Sequence, residues 1–467
     1  MKNLHLLSAT EAVSKIKDKK ISSRELVIDC FDQIKKTDPN IHAWAHLDKV
    51  LALDQAAAID KKIAIGRNVG FLAGVPVGVK DIFNTIDFPT EMGSPIWKNF
   101  TPGNDARVVS YMRWEDAVIP GKTITAEFAV HTPGPTHNPH RQGYMTGTSS
   151  SGSAAAVASF MVPLALGTQT AGSTIRPASY CGVYGMKPSF GLLPRTGMLK
   201  TTDSLDTIGL FSRSVEDLQL LLDVLRVKGQ NFPYIYQEVD SRREEIKNKR
   251  KWKIGVVTSS LWVWDKAENY ARDALKRFVS TLSKLKNVEI QEVQLPQEFN
   301  NAHQIHGIIY DKTLSYYFKD EFKKRTLISP VMYEIIGRGQ QIGLGEYQEA
   351  LDQQSILSKT FARLMDTYDV LLTLSTGGEA FIGLDSVPFS IALAIRSSPF
   401  CRLSNRPTNP NNGMSAIGNR SACCRDFLIS ALAGITVRAL NDRGNSLSVR
   451  GSHARSSMPL RMPTIAS

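Results

Sequence analysis

The order of residues along the chain predicts an α/β fold, and three observations carry it. Short apolar runs, Val75–Val79, Leu164–Gly167 and Ile254–Val257, alternate with longer stretches of helical period. A helix-start signal stands at the head of the first such stretch. Hydrophobic residues make up 42% of the 467 and charged residues 21%, which suits a packed globular chain and excludes disorder throughout.

The elements follow in order. Ser8-Ala-Thr-Glu11 is a capping-box pattern. Leu26, Val27, Cys30, Phe31 and Ile34 recur at helical spacing, with Ser22 and Ser23 as candidate caps, so residues 8–37 read as a helix pair. Residues 52–65 read as a third helix. Gly74-Val-Pro-Val-Gly-Val-Lys-Asp81 reads as a short buried strand ending in charge, and 105–119 as a helix followed by a strand at Ala117–Ile119. Residues 143–153 are dense in Gly, Ser and Thr and lead into a small-residue helix from Ala154. Leu164–Gly167 is a strand, followed by the loop Thr168–Arg176. Residues 214–226 are amphipathic, 241–253 form a charged link, and 254–257, 288–293 and 369–374 read as strands. Helix is expected over 267–287 and over most of 300–365.

Charge and cysteine usage narrow the class. The net charge is +12, but residues 388–467 hold ten Arg, no Lys, two Asp and no Glu. The excess therefore sits in the last sixth of the chain, and the remainder carries no basic stripe of the nucleic-acid type. Five scattered cysteines (Cys30, Cys181, Cys401, Cys423, Cys424) match no disulfide framework and no zinc spacing, so a cytoplasmic setting is expected. No run approaches ~18 apolar residues, so no membrane association through a spanning helix is expected. The N-terminus lacks a secretory pattern, and the mature chain is expected to begin near Met1.

Three features offer chemistry: Lys80 at a strand end, the Ser-rich loop 147–153, and Thr170-Ala-Gly-Ser173. Each alone has an ordinary structural reading, as a solvated strand end, a linker and a turn. Gly147-x4-Gly152-Ser153 lacks the Lys of a phosphate loop, no GxSxG elbow occurs, and the Ser-x-x-Lys pairs at Ser14 and Ser283 lack their partner motifs. His137-Asn-Pro-His140 reads as turn chemistry.

Taken together, Thr146–Ala158 and Val162–Pro188, with the upstream Gly74–Asp81 and the downstream Ser204–Gly209 and Arg213–Asp217, resemble the amidase signature family over about residues 6–387. The resemblance implies a large central mixed β-sheet covered by helices on both faces. It implies a catalytic core at about 66–226 and a variable substrate region at about 230–365. It also implies a Ser–cis-Ser–Lys triad: Ser173 as nucleophile, Ser149 as bridging serine in a cis peptide, and Lys80 as base. The N–H groups of Thr170, Ala171, Gly172 and Ser173 would form the oxyanion hole. The implied reaction is hydrolysis of carboxamide C–N bonds without metal or organic cofactor. The partner is a small-molecule amide, with a homodimer left open and no nucleic acid. Two departures stand out: Gly147-Thr148 in place of Gly-Gly before Ser149, and Gln169 in place of the usual Asp.

Elementary chemistry agrees with those roles. A serine hydroxyl needs an adjacent base. A lysine with its ordinary pKa of ~10.4 is protonated at neutral pH, and burial lowers that value. Gly172 permits a turn that aims successive N–H groups at one point. Of the neighbours, Asp206 is expected to fix a turn, Arg176 to pair with a carboxylate or loop carbonyls, and Cys181 to fill the core.

The match stops after Gly383-Leu-Asp-Ser-Val387. Residues 388–467 lack Lys, Glu and the family's closing strand and helix motifs. A reading-frame change near residue 388 explains both the composition and the missing motifs; a genuine disordered basic extension is the alternative. Two further functional readings stand beside the hydrolase. One is the glutamine-amidase A subunit of a tRNA-dependent amidotransferase. The other is an inactive amidase-like protein with an incomplete sheet.

Overall fold

The structure is a computed structural model that describes residues 3–227, 251–258 and 262–383, with the backbone of 436–440 and 446–450. The first helices follow their caps. Ser8 accepts from the Glu11 N–H at the head of α1 (Ala9–Lys17) while the Glu11 carboxylate accepts from the Ser8 N–H. The same box at Ser22 and Glu25 opens α2 (Ser23–Ile41). Ser22 is therefore the cap, and Ser23 is buried against the Gly74 carbonyl.

Six strands make the main sheet in the order β1-β3-β2-β4-β6-β5: β1 (Trp44–Leu47), β2 (Val77–Lys80), β3 (Gly121–Thr123), β4 (Leu164–Gln169), β5 (Tyr184–Met186) and β6 (Thr207–Ser212). β2 pairs parallel with β3 and β4, whereas β1–β3, β4–β6 and β5–β6 are antiparallel, so the sheet is mixed as expected. Alternation along the strands feeds two cores. Val77, Val79, Leu164, Leu166, Ile208 and Leu210 face a cluster with α1, α4 (Arg107–Trp114) and α7 (Val215–Leu225). Ala165 and Phe211 face the other, with α2 and the alanines of α5 (Ser151–Ala158). Helices thus cover both faces.

A second sheet of three parallel strands, β8-β7-β9, joins β7 (Trp252–Val256), β8 (Val288–Glu292) and β9 (Val370–Leu372). It packs with the helices Asn269–Leu282, Ala302–Tyr317 and Leu344–Met365. Several expectations change. Ala117–Ile119 is not a strand: Val118 makes one bridge to Pro76, and the paired strand begins at Gly121. The helix expected over 267–287 ends at Leu282, and α6 (Ile175–Cys181) and β5 have no counterpart in the sequence pattern. The link 241–250 and most of 388–467 lie outside the described residues. Within the latter, Thr436–Leu440 and Ser446–Arg450 pair as an antiparallel hairpin.

Candidate active site

The register of β2 against β3 sets Val79 opposite Lys122 and Lys80 opposite Thr123. Two fully buried lysines therefore leave the sheet on opposite faces, and their surroundings differ in kind. Lys122 Nζ lies 3.0 Å from Asp81 Oδ1 and donates to the Pro89 carbonyl at 2.9 Å and Thr90 Oγ1 at 2.8 Å. Burial pushes the Asp81 carboxyl up and the Lys122 ammonium down, and the attraction between them opposes both shifts. This is a structural ion pair.

Lys80 meets only hydroxyls. Its Nζ lies 2.8 Å from Ser149 Oγ, 3.1 Å from Ser150 Oγ and 2.8 Å from Thr168 Oγ1. Burial holds its pKa well below the ordinary lysine range, against the opposing field of Asp206. Ser150 donates its own proton to the Thr168 carbonyl at 3.2 Å, so toward Lys80 it accepts. The lone pair of the neutral amine is then left for the hydroxyl of Ser149 or Thr168, which is what a base toward Ser149 requires. Sequence reasoning missed Ser150 and Thr168, although each adjoins a residue in a motif it singles out.

Glycine lets these elements meet. A Cβ on Gly167 would stand 2.5 Å from the Phe211 ring and 2.8 Å from Ser150 Oγ, so only glycine lets the start of α5 rest on β4. Gly147 has φ +110°, and its Cβ would stand 2.6 Å from the Pro177 backbone, so the serine loop lies directly on α6. The bond expected to be cis at Ser149 is not: the described residues contain no cis peptide. Trans is the favoured geometry of any non-proline amide, by ~2.5–4 kcal/mol.

Ser173 sits in the turn between β4 and α6, five residues beyond Thr168, and is mostly buried. Its hydroxyl makes no hydrogen bond among the described residues, so the structure joins Lys80 to Ser149 but not Ser149 to Ser173. The turn itself is held from several sides. Gln169 Oε1 accepts from the Thr174 and Ile175 N–H groups, both at 3.0 Å, and its Nε2 donates to the Ala171 carbonyl at 2.8 Å. Thr170 Oγ1 donates to Asp206 Oδ1 at 2.6 Å. His306 Nε2 lies 3.4 Å from the Thr170 carbonyl oxygen. The N–H groups of Thr170, Ala171, Gly172 and Ser173 make no hydrogen bond among the described residues.

Asp206 fixes its turn as expected. It also accepts from the N–H and hydroxyl groups of Thr201 and Thr202. Arg176 is buried on α6, where the Tyr180 and Tyr310 side chains act on it electrostatically. Cys181 is buried, and burial pushes its thiol above the ordinary range, which fits a core residue rather than a thiolate. His306 and His131 are both held near pKa 4 by burial, so both are neutral at pH 7. Each ring lies within 6 Å of the Tyr310 ring.

A cavity of about 500 Å³ opens elsewhere, lined by Asp81, Glu91, Lys98, Thr125, Glu127 and Ser329 among others, and not by Lys80, Ser149 or Ser173. Beside it His46, Asp81 and Glu91 bring ligand atoms within 4.8 Å of one another. The Lys122 ammonium already supplies a positive charge at Asp81, which disfavours a metal cation there.

A family model for amidases matches residues 25–384. Among curated relatives, the A subunit of glutamyl-tRNA(Gln) amidotransferase from Carboxydothermus hydrogenoformans is 42% identical over 228 residues, 48% of this chain and 47% of that protein. A second-copy A subunit of the same enzyme, from Clostridium acetobutylicum, is 31% identical over 398 residues, 77% of this chain and 81% of that protein. The chain spans 47% of the C. hydrogenoformans protein and 62% of its Nostoc counterpart. A solved chain from a vestigial protein complex bearing on the origins of an s-triazine catabolic enzyme superposes with TM-score 0.73 at 27% identity, over 84% of this chain and 88% of that one. A bacterial aryl acylamidase of the amidase signature family gives 0.75 at 22% identity, over 85% and 88%, a likeness of fold. The family match runs across the strand, loop and turn that carry Lys80, Ser149 and Ser173, and the chain belongs to the amidase signature family.

Proposed function

We propose that this protein hydrolyses carboxamide C–N bonds through an acyl-enzyme on Ser173. The observation that carries the reading is Lys80: fully buried, surrounded by hydroxyls, and 2.8 Å from Ser149. In the proposed cycle Ser173 Oγ attacks the amide carbonyl. Its proton moves to Ser149, whose own proton moves to the neutral Lys80. The oxyanion is met by N–H groups of the 170–173 turn, each such donor being worth ~2.7–4 kcal/mol in the transition state. The proton returns through Ser149 to the nitrogen, the C–N bond breaks and the amine leaves. Water then attacks the ester by the same relay, releasing the carboxylic acid and restoring Ser173. Residues 1–387 are the proposed catalytic unit, with substrate shaped by parts of 84–100 and 300–350, and 388–467 as a separate basic tail.

A second reading is the glutamine-amidase A subunit of a tRNA-dependent amidotransferase. Gln169 and the Thr201–Asp206 segment weigh against it in the sequence. The curated relatives weigh for it more strongly, because those compared above carry that name. Fluorophosphonate labelling of the purified chain beside Ser173→Ala tests the shared chemistry. Label on the wild type alone is expected; wild-type turnover by Ser173→Ala would refute it, and a folded but unlabelled wild type would favour the inactive reading. Ammonia release from glutamine that rises on copurification with a partner protein separates the second reading from the first.

A further inference from the structure

We infer that Gln169 and His306 are positioning residues for the oxyanion hole, acting through the carbonyl ends of its peptide units. The inference rests on the hydrolase reading above and adds residues that it does not assign.

A trans peptide is planar, so its C=O and N–H point in opposite directions. The Thr170 carbonyl and the Ala171 N–H belong to one plane, as do the Ala171 carbonyl and the Gly172 N–H. Gln169 Nε2 grips the Ala171 carbonyl at 2.8 Å, and His306 Nε2 grips the Thr170 carbonyl at 3.4 Å, the longer and weaker of the two. Each grip turns the N–H at the far side of its plane away from the protein donor. Two consecutive N–H groups next to Ser173 are thereby oriented without being occupied.

Each residue is suited to the task. Gln169 is buried, and its amide offers the acceptor that caps the head of α6 together with the donor that holds Ala171. A carboxylate at this position keeps the first function and loses the second, because it has no N–H. His306 is buried on the helix Ala302–Tyr317, where its neutral ring donates to Thr170 through Nε2 and stacks on Tyr310 at 5.5 Å. That helix belongs to the second core, so the packing of the variable region bears directly on the catalytic turn.

Gln169→Glu tests the first grip, since it preserves shape and both acceptor contacts. It is expected to lower kcat by about 10- to 100-fold with KM changed less than about threefold, and to slow fluorophosphonate labelling in parallel. His306→Ala is expected to cost up to about tenfold in the same two quantities. His306→Gln, which keeps a donor, is expected to recover most of that loss. Wild-type kcat and labelling in both Gln169→Glu and His306→Ala, or losses confined to KM, overturn the proposal while leaving the hydrolase reading intact. A folded wild-type protein that takes no label overturns both. If Gln169→Glu does not fold, the Ala and Gln variants of His306 decide.

Discussion

Replacing Asp206 by Asn tests the electrostatics of Lys80 with an unusual sign. Among the described residues, Asp206 is the carboxylate whose field favours the Lys80 ammonium. The base must be neutral to accept a proton, so kcat/KM is expected to fall on the acid side as Lys80 becomes protonated. Removing the negative charge lowers the Lys80 pKa further, and the acid limb moves to lower pH. For charges about 8 Å apart at an effective dielectric of about 20, the interaction is about 2 kcal/mol. One pH unit is about 1.4 kcal/mol, so the expected displacement is roughly one unit downward. The structural side is separate. Asp206 accepts five hydrogen bonds, from the Thr170, Thr201 and Thr202 hydroxyls and from the N–H groups of Thr201 and Thr202. Asn keeps its oxygen for the two N–H groups and donates to hydroxyls that rotate to accept, with charge assistance lost at about 1 kcal/mol per bond. Asp206→Asn is therefore expected to melt earlier and to have a lower plateau while working relatively better in acid. The measurement is kcat/KM, or the labelling rate, against pH, at a temperature where both proteins are folded. An acid limb that stays in place or moves upward refutes the assignment of that limb to Lys80.

Asp81→Asn leaves Lys122 buried without its counter-charge and is expected to cost about 3–5 kcal/mol in denaturant unfolding; a cost below about 1 kcal/mol would contradict the ion-pair reading. Gly147→Ala forces an L side chain into φ +110° and into the Pro177 backbone, and is expected to abolish Ser173 labelling and lower the melting temperature; unchanged labelling would show that the serine loop does not depend on this contact. Translating the coding DNA for 388–467 in its other frames is expected to yield the family's closing strand and helix motifs, and their absence in every frame would favour a genuine basic extension.

The sequence by itself determined what depends on local pattern. The capping boxes at Ser8 and Ser22 opened helices where they stand, and strand alternation predicted the mixed sheet with two covered faces. The short spacing between the strand-end lysine, the serine loop and the Thr170–Ser173 turn carried the family likeness, because a family motif is a run of residues in order. It did not show α6 or β5, whose short runs have no clear period, nor the single bridge at Val118. It also did not separate Lys80 from Lys122, since both sit near strand ends beside apolar residues. That difference is one of partners: an aspartate for one and three hydroxyls for the other. Partners come from residues 69 to 88 positions away in the case of Lys80, and from 136 positions away for the His306 contact with Thr170. Charge state and hydrogen-bond geometry depend on burial and on which groups the fold brings within about 3 Å, so only the tertiary structure decides which lysine is a base and which is a structural cation.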